Sequence, residues 1–409
     1  MRCRIVMVSA TLTVLTVAAG LTAANVSAAT AQTSQANSAL RYLYGQQGAD
    51  GSVASSLGAT EDIVISVADA GYDPATLVKG GSSTGAYSYM SAHASGVNTA
   101  GGAAKYVLAW VAAGKPSALA SSAQSLLTRL NTPTSSGGYL GANGAFHNSD
   151  ATVETANAYS QALSVLADIA GNVTLPAHAT DWLLCAQLPD GGFGYVITDA
   201  ASTPPAFCGD KSSDTNDTGI ILQALGQAGV SSANSAAVGY LHSAQQADGG
   251  FSFSSTGSSD PDSDEVVVQA LLAIGQDPTG ASWTVSSGKN PIANMESFAD
   301  PKGSGGYVFP GNTTPDAFTT VQIPQALELK PYAASTSIAA GTSPNNTTSA
   351  SASASATASA SDSAGVVPVP ATGAAIGNGG TVPGALLLVV LGGLASAVAV
   401  MRRRRGETP

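Results

Sequence analysis

QQADGGFSFSSTGSSDPDSDEVVVQALLAIG, from Gln245 to Gly275, decides the fold, because its parts return along the chain. A glycine-glycine-aromatic triplet recurs as Gly137-Gly138-Tyr139, Gly191-Gly192-Phe193, Gly249-Gly250-Phe251 and Gly305-Gly306-Tyr307, with a degenerate Gly85-Ala86-Tyr87 upstream. Taken at Gly85, Gly138, Gly192, Gly250 and Gly306, the markers stand 53, 54, 58 and 56 residues apart. This spacing marks a structural repeat. Gln-Ala-Leu recurs at Gln161, Gln223, Gln269 and Gln325, and nine residues before the last three stand Asp214, Asp260 and Asp316, with Thr152 at that place in the other unit. One repeat, between Gly191 and Gln223, carries a twelve-residue insertion.

Each unit reads as two helices joined by a glycine-rich turn. Ala237, Tyr240, Leu241 and Ala244 have helical apolar spacing, and the Asp248-Gly249-Gly250 that follows predicts a glycine C-cap. The second helix starts after acidic residues whose short side chains accept first-turn N–H groups and favour the positive end of the helix dipole. Its body, from Val266 through Leu271 to Ile274, is apolar nearly all round, as for a helix buried on both sides. Six such hairpins are expected: 40–71, 73–114, 117–171, 177–229, 233–275 and a last one ending near Lys330-Pro331. Periodicity alone leaves an open solenoid and a closed ring both available.

Outside this body, both ends read as targeting segments. Residues 1–31 have a basic start, an apolar stretch from Ile5 to Leu21 and small residues at Val26-Ser27-Ala28 or Ala29-Thr30-Ala31, the pattern of a secretory signal peptide. Residues 37–332 form the expected folded domain. Residues 333–368, dominated by Ser, Ala and Thr, read as an extended spacer too poor in large apolar groups to offset chain entropy. Residues 369–409 hold Val369-Pro370-Ala371-Thr372-Gly373, an apolar run from Val382 to Met401 just long enough to span a bilayer, and Arg402–Arg405, which favour a cytoplasmic end.

The whole chain has a formal net charge of −11. Arg2, Arg4 and Arg402–Arg405 lie in the terminal segments, so the folded part is more acidic still, which argues against nucleic acid and anionic lipid as partners. Cys185 and Cys208 flank the enlarged turn of the Gly191 repeat, and in an oxidising compartment a disulfide between them would staple its insertion.

QLPDGGFGY (Gln187–Tyr195), QQADGGFSF (Gln245–Phe253) and the helices after them resemble the repeats of the terpenoid cyclase and protein prenyltransferase superfamily, with related repeats in cobalamin-binding barrels and complement thioester domains. The resemblance implies an all-α (α/α)6 toroid of six hairpins. The C-terminal order of motif, apolar span and basic tail resembles the LPxTG cell-wall sorting signal of Gram-positive surface proteins, with Val369 in place of Leu. That resemblance implies a sortase cut between Thr372 and Gly373 and attachment to peptidoglycan; without a cut, Val382–Met401 anchors the chain in the membrane. Either way the folded body faces outward.

For activity, Asp262, Asp264 and Glu265 are the candidate catalytic residues, because this stretch resembles the DxDD with which class II terpene cyclases protonate their substrate. The competing reading is structural, since Asp214-Thr-Asn216-Asp217 occupies nearly the same place one repeat earlier. Alternate acidic side chains also suit Ca²⁺, but the glycine and glutamate positions of an EF-hand loop are not met. His93, His147, His178 and His242 lack zinc-site spacing, so no metal centre is expected, and no cofactor is indicated. Tyr87, Tyr89 and Tyr139 are candidates for a rim site binding a small ligand or glycan. Two classes of function follow: a non-catalytic surface module binding a cobalamin-like or other small ligand, and an extracellular enzyme acting on polyisoprenoid or polysaccharide. Deleting residues 382–405 is expected to release the protein into the medium, whereas Thr372→Ala moves it out of the wall fraction only where a sortase cuts; both are read by cell fractionation and immunoblotting.

Overall fold

The computed structural model describes residues 33–345, apart from 81, 148–155, 198–202, 206–207, 209, 255–256 and 335–336. The signal peptide, the VPATG element and the Val382–Met401 span lie outside the described residues. Among those described, the regular structure is helical, with only isolated β-bridges between turns, and no helix is long and apolar enough to cross a membrane.

Six outer elements are α1 (Thr33–Gln46), α3 (Ala86–His93), α5 (Ser117–Leu130), α7 (Asp181–Leu184), α9 (Asn234–Ala244) and α11 (Pro291–Glu296). The inner ones are α2 (Leu57–Asp69), α4 (Ala100–Ala112), α6 (Ala158–Gly171), α8 (Thr215–Gln227), α10 (Pro261–Ala273) and a broken last helix, α12 (Ala317–Thr320) with α13 (Ile323–Leu327). The inner helices touch in order from α2 to α13, and α13 returns to touch both α1 and α2, so the first and sixth hairpins meet and the ring closes. Burial follows: every residue of α2 from Gly58 to Asp69, and of α8 from Thr215 to Leu225, is buried.

Inner helices begin at side-chain caps, as the acidic loops predict. Asp214, Asp260 and Asp316 accept from Asp217 N, Ser263 N and Thr319 N, and Ser56, Thr99 and Asn157 do the same for α2, α4 and α6. The glycines behave differently from the expectation. Gly249 does not cap α9, which ends at Gln245 in an extended conformation; it lies in a separate tight turn with φ +88°. There its missing Cβ leaves room for the start of the next outer helix, at Lys289 and Asn290. Gly51, Gly144, Gly191 and Gly305 share this conformation and abut Gly85, Ala177, Ala236 and Ser38 respectively. The contact of Gly305 on Ser38 of α1 is the closing member of the series.

This geometry corrects two expectations. The third hairpin's turn is Gly144-Ala145-Phe146; Gly137 has nothing near its Cβ position, and Gly85 is the N-cap of α3, not a turn between two helices. Gln161-Ala-Leu is also out of register, since Gln161 lies four residues after its cap Asn157, whereas Gln223 lies nine after Asp214. The Cys185–Cys208 pair is bonded, with Cα atoms 5.1 Å apart. Past Tyr332 the chain stays packed: Asp73 N donates to Thr342 O, Gly341 N to the Asp73 carboxylate, and Tyr72 pairs with Ala339, strapping residues 338–345 to the first hairpin.

Gly144→Ala should lower stability by about 3 kcal/mol, combining left-handed backbone strain with collision against the Ala177 carbonyl. Gly229→Ala, at φ +74° with open space around it, should cost only about 1 kcal/mol from backbone strain. Urea unfolding of the two variants tests the difference.

Candidate functional site

Three of the turns share a side-chain clamp. Gln47 Nε2 donates to Gly51 O at 3.0 Å and across to Leu77 O at 2.8 Å; Gln187 joins Gly191 to Ala233, and Gln245 joins Gly249 to Trp283, in the same way. In the third hairpin Gln161 reaches in from α6 to Gly144 O and Ala179 O. The recurring Gln-x-x-Asp-Gly at Gln47, Gln187 and Gln245 carries this clamp in the sequence. Its aspartate closes an Asx turn, as where Asp248 Oδ1 accepts from Gly250 N.

The residue after each turn then donates its N–H to the fourth residue beyond the inner helix's cap. Val53, Phe193 and Tyr307 donate to the hydroxyls of Thr60, Thr218 and Thr320, and Phe146 donates to the Gln161 amide oxygen. In the fifth hairpin the acceptor is Asp264, whose Oδ1 takes the Phe251 N–H at 2.6 Å. Its Oδ2 has no partner, and burial pushes its pKa well up. Asp264 thus occupies a place filled by threonine in three hairpins and by Gln161 in the third, and accepts the turn N–H as they do.

Asp262 lies in the first turn of α10, partly exposed, while Glu265 is buried with a different set of neighbours. The charge of Asp262 acts on both Asp264 and Glu265. Glu265 belongs to an acidic centre inside the ring with Glu61 and Asp62 of α2, Lys105 of α4 and Tyr159 of α6. Burial raises the pKa values of Glu61 and Glu265 well above the ordinary carboxylate value; nearby acidic charge adds to this and Lys105 opposes it. Lys105 Nζ meets Asp62 Oδ2 at 2.7 Å.

Tyr332, which sequence reasoning used only as a domain end, crosses this interior. Its backbone N–H donates to Gln223 Oε1 of α8 at 2.9 Å, and its phenol donates to Asp62 Oδ1 of α2 at 3.1 Å. In a ring of six, α2 and α8 stand opposite each other, so Tyr332 bridges the lumen. Below it, Pro331, Ala333 and Ala334 line a cavity of about 690 Å³ at the C-terminal ends of the inner helices. Glutamines stitch half the wall: Gln223 Nε2 to Gln269 Oε1 is a long 3.5 Å, Gln269 to Gln325 is 3.2 Å, and Gln325 reaches Ser66 Oγ at 3.3 Å.

The tyrosines expected to form a rim site are engaged in packing. Tyr139 is fully buried, with its hydroxyl on Val97 O and Arg129 over its ring, and Tyr89 is buried against His93. His242 stacks on Trp283, and His178 pairs with Asp181. Among the described residues, no group of three or more His, Cys, Asp and Glu side chains could hold a metal ion.

No family model and no curated protein matches the chain. Among solved structures, it is similar to the type II terpene cyclase MstE from Scytonema, at 14% identity and a TM-score of 0.48, over 73% of this chain and 98% of that one. It is also similar to ent-copalyl diphosphate synthase from Streptomyces platensis, at 16% identity, TM-score 0.39, over 67% of this chain and 50% of that one. A third is the protein geranylgeranyltransferase-I of Candida albicans complexed with GGPP, at 14% identity, TM-score 0.37, over 55% of this chain and 66% of that one.

The raised carboxyl pKa values set a pH dependence. Glu61, Asp264 and Glu265 hold protons in the folded chain at pH values where the unfolded chain has released them, so the unfolded state binds fewer protons and stability falls as pH rises. Their contribution is complete below the ordinary carboxylate range and is lost as pH climbs through the raised values. Asp168, pushed up to about 6 by burial and opposed by the Asn131 hydrogen bond, adds to the same trend between about pH 4 and pH 6. Melting temperature should be higher at pH 5 than at pH 8, and Glu265→Gln should flatten the profile in thermal denaturation.

Proposed function

We propose that this chain is a secreted, surface-displayed helical toroid that works as a non-catalytic binding module, held away from the cell by its Ser/Ala/Thr spacer and VPATG-type anchor. The observation that supports the non-catalytic reading is Tyr332, which crosses the interior from Gln223 to Asp62 and takes up part of it with the chain's own half-buried side chain. A polyisoprenoid substrate would need that volume, together with aromatic walls to stabilise developing positive charge. The acidic centre has instead Glu61, Asp62, Lys105 and Glu265 around a tyrosine. The signal peptide, the acidic folded part and the sorting-type C-terminus support display outside the membrane, with sortase and peptidoglycan as the anchoring partners.

One observation favours the second reading, an extracellular enzyme on polyisoprenoid or polysaccharide: Glu265 is a buried carboxyl that keeps its proton, as a general acid must. Purified full-length protein, incubated with geranylgeranyl diphosphate and with cell-wall polysaccharide, is expected to give no cyclised, transferred or cleaved product by mass spectrometry. Tyr332→Ala should lower stability by about 2–3 kcal/mol and still give none. Turnover that appears with wild type or Tyr332→Ala and disappears with Glu265→Gln would reverse the assignment.

A further inference from the structure

The Lys105–Asp62 contact has a chemistry that the fold itself does not require. The two residues are 43 apart in sequence and sit on neighbouring inner helices, with side chains only 17% and 7% exposed. Lys105 Nζ stands 2.7 Å from Asp62 Oδ2, while the other carboxylate oxygen is held at 3.1 Å by the Tyr332 phenol. Two further carboxyls, Glu61 and Glu265, are each 2% exposed, and Glu61 Oε1 has no hydrogen-bond partner.

We infer that Lys105 and Asp62 condense in the folded protein into an intramolecular isopeptide bond, with Glu61 as the proton carrier and Tyr332 steadying the carbonyl oxygen. The ammonium first passes a proton across its contact to Asp62 Oδ2, leaving an amine beside a neutral carboxyl. Nζ then attacks Cγ while the Tyr332 hydroxyl holds Oδ1. Glu61, protonated at the start, gives its proton to Oδ2 and takes a replacement from the nitrogen. The Cγ–Nζ bond forms, the Cγ–Oδ2 bond breaks, and Oδ2 leaves as water; the nitrogen has given up two protons, one directly to Oδ2 and one to Glu61. Glu61 ends as it began, and no oxidant, reductant or cofactor is consumed.

Two physical effects favour the step here. In water, separate solvation of ammonium and carboxylate holds them apart as ions; inside the ring both ions are poorly solvated, and a neutral amide removes that cost. Folding also fixes the nitrogen within attacking range, converting an encounter between groups on two helices into a unimolecular event. Glu61 suits the transfer because its burial keeps it protonated while Lys105 is the largest influence drawing it back. The bond would join α2 to α4, fastening the first hairpin, which carries the C-terminal strap, to the second.

Intact mass spectrometry of the full-length protein tests this. After reduction of the Cys185–Cys208 disulfide, the wild type should be lighter than the sequence of its mature chain by one water, and a proteolytic digest should contain a branched peptide joining Asp62 to Lys105. Lys105→Arg keeps the charge pair but cannot form this bond, so it should show full mass and a lower melting temperature. Glu61→Gln should slow formation on the order of a hundredfold, read as the uncross-linked fraction over time after refolding. Circular dichroism on every sample separates failed folding from failed condensation. A helical, cooperatively melting wild type at full mass, with no branched peptide, would overturn the inference.

Discussion

Every hairpin but the second hands its neighbour a turn whose glycine has no room for a Cβ, and the rest of the ring depends on that approach. At φ near +90° the turn folds flat enough for its backbone to touch the start of the next outer helix. In four hairpins a glutamine amide adds donors to both sides of the seam, so the buried carbonyls there are satisfied. A seam built mainly from backbone can repeat without identical side chains. The second hairpin, which has no such turn among the described residues, relies on large side chains at the inner wall, with Tyr106, Val107, Leu108 and Trp110 of α4 all buried.

The same register that builds the seams brings polar groups inward. Inner-helix positions four beyond the cap receive the turn N–H, and positions nine beyond it face one another as Gln223, Gln269 and Gln325. Such amides in a ring can each donate and accept, so a polar wall forms without buried charge on that side. Charge is concentrated instead across the interior, where side chains of α2, α4 and α10 face Lys105. One cation there cannot neutralise the carboxyls around it, and burial with acidic neighbours keeps Glu61 and Glu265 protonated.

Much of the ring was legible in the sequence because helical spacing, acidic caps and glycine turns agreed with one another. Asp214, Asp260 and Asp316 were legible as caps for that reason. The misreadings arose where local pattern and tertiary contact part company. Gly137-Gly138-Tyr139 has the right letters, yet Gly144 is the glycine that meets the next hairpin, and only the fold decides which of two nearby turns does so. Gln161 matches the Gln-Ala-Leu marker by coincidence of spelling, while its side chain does work done elsewhere by a threonine and by a turn glutamine. The acidic run at Asp262, Asp264 and Glu265 shows how much a sequence pattern leaves unsaid: Asp264 accepts the Phe251 N–H of the neighbouring turn, while Glu265 is coupled to Asp62 and Lys105 on other helices.

Tyr332 was the least legible residue, since it follows the last repeat and borders a low-complexity stretch. Its importance comes from position: the chain leaves the sixth hairpin after Leu327 and passes the C-terminal ends of the inner helices, where Pro331, Ala333 and Ala334 line the cavity. Once inside, its N–H and phenol meet acceptors on opposite walls, which ties the exit path of the chain to the acidic centre. The strap then returns to Tyr72 and Asp73, where the first hairpin passes into the second. The strap adds several hydrogen bonds in parallel outside the ring, so the chain beyond Tyr332 is held at the surface by contacts independent of the interior ones.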